Sequence, residues 1–162
     1  MQEIRNLEAC TKLESLWLGK NKITQLQGLD ALTNLRILSM QTNRIVKIEG
    51  LDRLVGLQEL YLSHNGIQRI EGLDQLTELK VLDLAGNQIA HVENVAPLAN
   101  LEDFWFNDNA HFGNLDEIDQ FAACTKLTTI YLYGTGACKA AGTAYRSRVK
   151  ALIPSIQQID DH

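Results

Sequence analysis

Ser63, His64 and Asp83 carry the three functional groups of a nucleophilic triad: a hydroxyl to attack, an imidazole to take its proton, a carboxylate to orient the ring. Ser63 and His64 are chain neighbours, however, so on an extended segment their side chains point in different directions. No oxyanion-hole loop is recognisable beside them. Glu59, Asp83 and Asp103 offer oxygens to a divalent cation, but they lie on three separate repeats with aromatic residues between them, a poor oxygen cage. His64, His91 and His111 lack zinc-ligand spacing, and no glycine-rich phosphate loop is present. Cys10, Cys124 and Cys138 fit neither a CxxC site nor a disulfide framework. Cys10 and Cys124 each precede a Thr-Lys-Leu triplet where other repeats carry leucine, so both are expected to be small reduced core residues. No catalytic residue, metal or cofactor is expected. What remains is a set suited to holding another protein: Trp17, Tyr61, Trp105 and Tyr131, interleaved with Glu59, Asp83 and Asp103.

These residues recur in phase because the chain repeats. Leu13, Leu35, Leu57, Leu79 and Leu101 are spaced by 22 residues. Each opens a unit of the form Leu57-Gln-Glu-Leu60-Tyr-Leu62-Ser-His-Asn65-Gly-Ile67, followed by apolar residues every third position, here Ile70, Leu73 and Leu76. This is the leucine-rich-repeat pattern, and the fold class it predicts is α/β: a right-handed solenoid with a concave parallel β-sheet. The LxxLxL segment is the strand, its leucines inward. Asn21, Asn43, Asn65, Asn87 and Asn109 follow the strands as buried polar groups, so each must bond backbone of its own and the adjacent coil, forming a structural ladder. A three-residue apolar period suits short 3₁₀ turns on the convex side.

The rhythm breaks twice. From Leu101 to Leu127 the spacing is 26, and the surplus near Ala110-His111-Phe112-Gly113 is expected to bulge as a loop. A sixth strand follows at Leu127–Leu132, with Thr135 where the Asn belongs. Residues 1–134 are therefore read as repeats, beginning at 13, 35, 57, 79, 101 and 127 after a partial first unit, and 135–162 as a helical C-terminal cap. In the cap Thr143 is expected to cap a helix through Tyr145, Val149 and Leu152 that stops before Pro154, with Ile156 and Ile159 as an apolar tail. Ile4, Leu7 and Cys10 match the convex half of a unit. Either further repeats precede it, or an open strand edge invites self-association.

Side chains between the strand leucines face the hollow. The central column reads Trp17, Ser39, Tyr61, Asp83, Trp105 and Tyr131; the earlier one includes Glu59 and Asp103. Core packing does not call for tryptophan there. The carboxylates point to a partner surface bearing Lys or Arg. A net charge of −5 without clustered Lys and Arg argues against a nucleic-acid or anionic-membrane surface. No apolar run approaches the roughly 18 residues of a membrane span. The start, Met1-Gln2-Glu3-Ile4-Arg5, lacks the basic and apolar regions of a secretory signal, so a cytosolic or nuclear location is expected.

The chain resembles the 22-residue-repeat regulatory subunits of type 1 serine/threonine protein phosphatase. The resemblance rests on Leu13-Glu-Ser-Leu-Trp-Leu-Gly-Lys-Asn-Lys-Ile-Thr, Leu38-Ser-Met-Gln-Thr-Asn-Arg, Leu60-Tyr-Leu-Ser-His-Asn-Gly-Ile, Leu101-Glu-Asp-Phe-Trp-Phe-Asn-Asp-Asn and the cap segment from Tyr145 to Asp160. It covers essentially the whole chain and about the C-terminal half of that family's usual array. It implies that the concave face docks the phosphatase catalytic subunit and regulates it, in nucleus and cytoplasm, with Trp17, Asp83, Asp103, Trp105 and Tyr131 on the family's contact positions. The sequence departs from the family at Thr135-Gly136, in place of Asn-Pro, and by two extra residues before Tyr145.

Overall fold

A computed structural model describes residues 1–161. Each LxxLxL segment yields a strand of three residues: β1 (Ser15–Trp17), β2 (Ile37–Ser39), β3 (Glu59–Tyr61), β4 (Val81–Asp83), β5 (Asp103–Trp105) and β6 (Thr129–Tyr131). A further strand, β7 (Gln158–Ile159), joins them, and all seven pair in parallel in chain order. The register follows the repeat, Leu16 beside Leu38, Leu38 beside Leu60, Leu60 beside Leu82 and Leu82 beside Phe104. The inward side chains Leu38, Leu60, Leu82, Phe104 and Ile130 are fully buried. The fold is thus the parallel-sheet solenoid that the repeat predicts.

Strands this short are held by the asparagine just beyond each of them. The Asn65 Oδ1 accepts the Ile45 N–H of the preceding coil at 3.0 Å. Its Nδ2 donates to the Met40 carbonyl of that coil at 3.1 Å and to Leu62 of its own at 2.9 Å. Asn43, Asn87 and Asn109 repeat the arrangement. Asn21 bonds its own Leu18 carbonyl, and its Oδ1 accepts from the Met1 amine, at the place Ile23 and Ile45 fill in later coils. One amide therefore joins two coils at each rung. Among the described residues no buried side-chain nitrogen or oxygen lacks a partner.

The convex side differs from expectation in degree. In the 22-residue coils the apolar residues form isolated turns, as in the Leu54 N–H to Leu51 and Leu57 N–H to Leu54 bonds, without a continuous helix. Only the longer fifth coil joins its turns into a 3₁₀ helix, Leu115–Ala123, because its extra residues give room to complete them. Each early coil bends through a glycine of positive φ (Gly28, Gly50, Gly72). At Gly72 a Cβ would lie 2.6 Å from the Ile48 carbonyl oxygen, so the neighbouring coil excludes any side chain.

In the surplus segment Ala110, His111 and Gly113 are exposed in a loop, but Phe112 turns inward. Phe112 is fully buried with its ring 5.3 Å from that of Phe106, and its carbonyl accepts the Ala137 N–H at 2.7 Å. The insertion braces the cap because burying an aromatic ring outweighs exposing it in a loop.

The cap also departs from the expected layout. Thr135, at the ladder position, keeps the bond within its own coil and caps a helix: its hydroxyl donates to the Leu132 carbonyl at 2.7 Å and accepts the Cys138 N–H at 3.1 Å, capping α1 (Gly136–Ala141). Thr143 caps nothing; it lies in the 3₁₀ turn Gly142–Ala144, which runs directly into α2 (Tyr145–Leu152). That helix ends ahead of Pro154, as the sequence predicts. Ile159 is no loose tail but pairs β7 to β6. Beside it, Asp160 Oδ1 accepts the Leu132 and Tyr133 N–H groups and Oδ2 accepts the Tyr145 hydroxyl. Cys124 is buried and its thiol pKa is raised by burial, whereas Cys10, expected in the core, is exposed.

Asn87→Ala should destabilise the protein by about 3 kcal/mol in a urea titration, since it strands the Ile67 N–H and carbonyls of two coils in the core. The Tyr145 phenol is pushed above its ordinary range, by burial first and Asp160 second. A raised folded pKa means the stabilisation is complete below a pH of about 10 and is lost as pH rises beyond it. Tyr145→Phe should therefore cost about 1 kcal/mol at neutral pH and flatten the alkaline limb of a plot of stability against pH.

Candidate functional site

The register sets the central column on one face: Trp17 beside Ser39, Ser39 beside Tyr61, Tyr61 beside Asp83, Asp83 beside Trp105, Trp105 beside Tyr131. Large and small residues alternate over the first five strands. Rings two strands apart start about 9.6 Å apart at the backbone, yet they lean together over the small residues. The ring centroids of Trp17 and Tyr61 are 6.4 Å apart, those of Tyr61 and Trp105 6.2 Å, and those of Trp105 and Tyr131 5.9 Å. The four rings form one continuous strip, within the range of favourable aromatic pairing. Trp17, at one end, is 64% exposed, and the other three are half-buried.

This roof corrects the outward-facing reading of Asp83. The residue is 1% exposed, beneath Tyr61 and Trp105, with its carboxylate taking the Ala85 N–H at 3.1 Å and the Gln41 Nε2 at 2.9 Å. Ser39 and Ser63 are likewise buried. Gln41 is the floor residue that sequence reasoning passed over: besides Asp83 its amide donates to the Ser63 hydroxyl at 3.0 Å. Its signal was a long amide among small neighbours in the column.

Glu59 and Asp103 stay half-exposed beside the strip, and neither forms an ion pair among the described residues. The Tyr61 hydroxyl donates to Glu59 at 2.7 Å. Its pKa lies well above the ordinary phenol value, through burial, then the Glu59 bond and charge, then Asp83 and Asp103. Tyr131 is shifted the same way by burial and by Asp161, Asp103 and Asp160, and its oxygen accepts from Gln158. Neutral phenols are favoured first by burial and then by the carboxylates beside them. An apolar strip in a negative field fits Lys or Arg side chains of a partner, which gain both ring faces and carboxylates.

The other chemical candidates separate. Among the described residues no hydrogen bond joins His64 to Ser63 or to Asp83, so no proton relay exists there. His91 pairs with Glu117 at 3.0 Å. Among the described residues no group of three His, Cys, Asp or Glu side chains is placed to hold a metal, and no helix is long and apolar enough to cross a membrane.

The stacked coils and their parallel sheet define a repeat-solenoid scaffold. Residues 11–53 and 55–100 match the family model for leucine-rich repeats in two copies. The chain belongs to the leucine-rich-repeat family, whose domains are protein-binding rather than catalytic. Among solved structures it is similar to a leucine-rich-repeat protein of Leptospira interrogans, with a TM-score of 0.79 and 23% identity over 94% of this chain and 38% of that one. It is also similar to the internalin InlF of Listeria monocytogenes, with a TM-score of 0.68 and 24% identity over 99% and 51%. The functional domain of InlJ from the same organism gives 0.67 and 27% over 81% and 27%. The chain thus spans about half or less of each of these structures. No curated protein matches it significantly in sequence.

Tyr61→Ala should remove the ring that links both tryptophans and uncover Asp83. It should red-shift tryptophan emission and cost about 1–2 kcal/mol of stability, against an unchanged spectrum if the rings do not touch.

Proposed function

We propose that the protein docks the catalytic subunit of type 1 serine/threonine phosphatase on the strip from Trp17 to Tyr131 and modulates its activity, in the cytoplasm and nucleus. The observation that carries this reading is the exposed aromatic strip flanked by the unpaired Glu59 and Asp103. A repeat core needs none of these residues, whereas a docking surface needs buried-on-binding rings with charges at their rim. The choice of partner is supported by the likeness of these outward residues, and of the cap segment, to phosphatase regulatory subunits. Seven strands span roughly 29 Å, enough for one side of an interface of about 800 Å².

The repeat fold by itself also suits a second reading, a scaffold for a different protein, such as a cytoskeletal or spliceosomal component, on the same face. Capture of partners on the immobilised chain, read by mass spectrometry, separates the two by whether the phosphatase dominates. In the first reading Asp103→Ala with Trp105→Ala should weaken binding of the purified catalytic subunit by more than about 30-fold. The circular-dichroism melt should change little. Undiminished binding by the folded double variant would sink this reading.

A further inference from the structure

At the Trp17 end of the concave face lies a second cleft of about 450 Å³, of opposite character to the acidic strip. Its walls include Trp17, Lys20, Gln41, Thr42, Ser63 and His64. Lys20, Thr42 and His64 occupy the same position in three successive coils, just past the strand, and each continues the parallel pairing: Lys20 N–H to Gln41, Thr42 N–H to Ser63, His64 N–H to Ala85. They therefore stand in a row about 4.8 Å apart. The short Thr42 in the middle leaves a gap between two longer nitrogen-bearing side chains. The His64 ring rests on Gly86, where a Cβ would lie 2.6 Å from Nδ1, so the next coil fixes the far wall.

Among the described residues the Lys20 ammonium, the Thr42 hydroxyl and the His64 ring make no hydrogen bond or ion pair, although Lys47, Arg69, Lys80, His91 and Arg148 all pair with carboxylates. Lys22 and Arg44, on the same coils, are also exposed and without an ion pair among those residues. All three row residues are left-handed, with φ of 56°, 57° and 55°, as are Gly86, Asp108 and Gly134 at the same place in the later coils. The fold accepts glycine at this position, and a β-branched threonine there is strained. The nearby carboxylate of Asp83 is roofed by the aromatic rings and already bonded by Gln41 and Ala85.

We propose that this cleft binds the phosphate monoester of a phosphorylated side chain on a docked protein. Lys20 supplies charge, His64 a ring N–H, and Thr42 with Ser63 hydroxyl donors, the Ser63 oxygen already accepting from Gln41 and leaving its hydrogen free. Several donors of different direction around one gap suit the oxygens of a phosphate better than the two of a carboxylate. The cleft shares Trp17 with the acidic strip and Gln41 with its floor, whereas the donors Lys20, Thr42, Ser63 and His64 lie outside the strip.

The test is an amide-resolved NMR titration of the full chain with a blocked Gly-Gly-phosphoserine-Gly-Gly peptide, with its glutamate counterpart and inorganic phosphate as separate arms. Saturable shifts centred on Lys20, Thr42, Ser63 and His64 are expected for the phosphopeptide, with affinity at least about tenfold weaker for Lys20→Met. Free phosphate should shift the same amides, and the glutamate peptide should bind more weakly. Thr42→Gly should raise the melting temperature while weakening phosphopeptide binding, a combination that no purely structural role produces. Equal binding of the glutamate peptide, unchanged affinity in Lys20→Met, or shifts centred elsewhere overturns the proposal. The peptide titration contains no phosphatase, and the Asp103→Ala, Trp105→Ala double variant leaves the cleft residues intact, so the two failures are distinguishable.

Discussion

Everything in this molecule depends on one side-chain amide per coil. A strand of three residues is far too short to persist alone, and a turn leaving it exposes backbone groups that the core cannot leave unpaired. Asn43, Asn65, Asn87 and Asn109 satisfy those groups in two coils at once. The coil spacing, and with it the phase of every outward residue, is fixed by these bonds. Where the ladder ends, the Thr135 hydroxyl takes the carbonyl of its own coil as a ladder Asn would, and the Asp160 carboxylate takes the Leu132 N–H that earlier coils give to the next strand's carbonyl.

A rigid phase turns a column of outward residues into a patterned surface. With strands about 4.8 Å apart, side chains in one column must either crowd or alternate in size. Here they alternate, and the rings close over Ser39 and Asp83 into a continuous roof. The buried Asp83 and the half-buried Gln41 then form a hydrogen-bonded floor beneath the rings. Negative charge from Glu59, Asp103 and Asp161 surrounds the roof, while the strand exits at the Trp17 end carry Lys20, Lys22 and Arg44. The concave side thus carries two fields of opposite sign, which would orient a partner before it touches.

The fifth coil shows how an irregularity is absorbed. Four added residues do not leave the fold; they bring Phe112 under Phe106 and carry a carbonyl to the cap helix. A hydrophobic residue in a surplus segment finds the nearest open core, and here the open core is the solenoid's end.

The sequence by itself determined the architecture, because a 22-residue period with leucines, an asparagine and apolar residues at every third position admits one way of burying them all. It also determined which face carries the aromatic and acidic residues, since alternation along a strand fixes inside and outside. It did not determine that Asp83, outward by alternation, is covered by rings from the flanking strands, because leaning across two strands is a property of neighbours in space. Nor did it reveal β7 or the role of Thr135 in place of Thr143, since pairing with β6 and capping α1 depend on where the chain returns. Positions within one coil were legible from local pattern. Whatever required two coils to meet, from the aromatic roof to the Lys20–Thr42–His64 row with its positive φ, was decided by the tertiary structure alone.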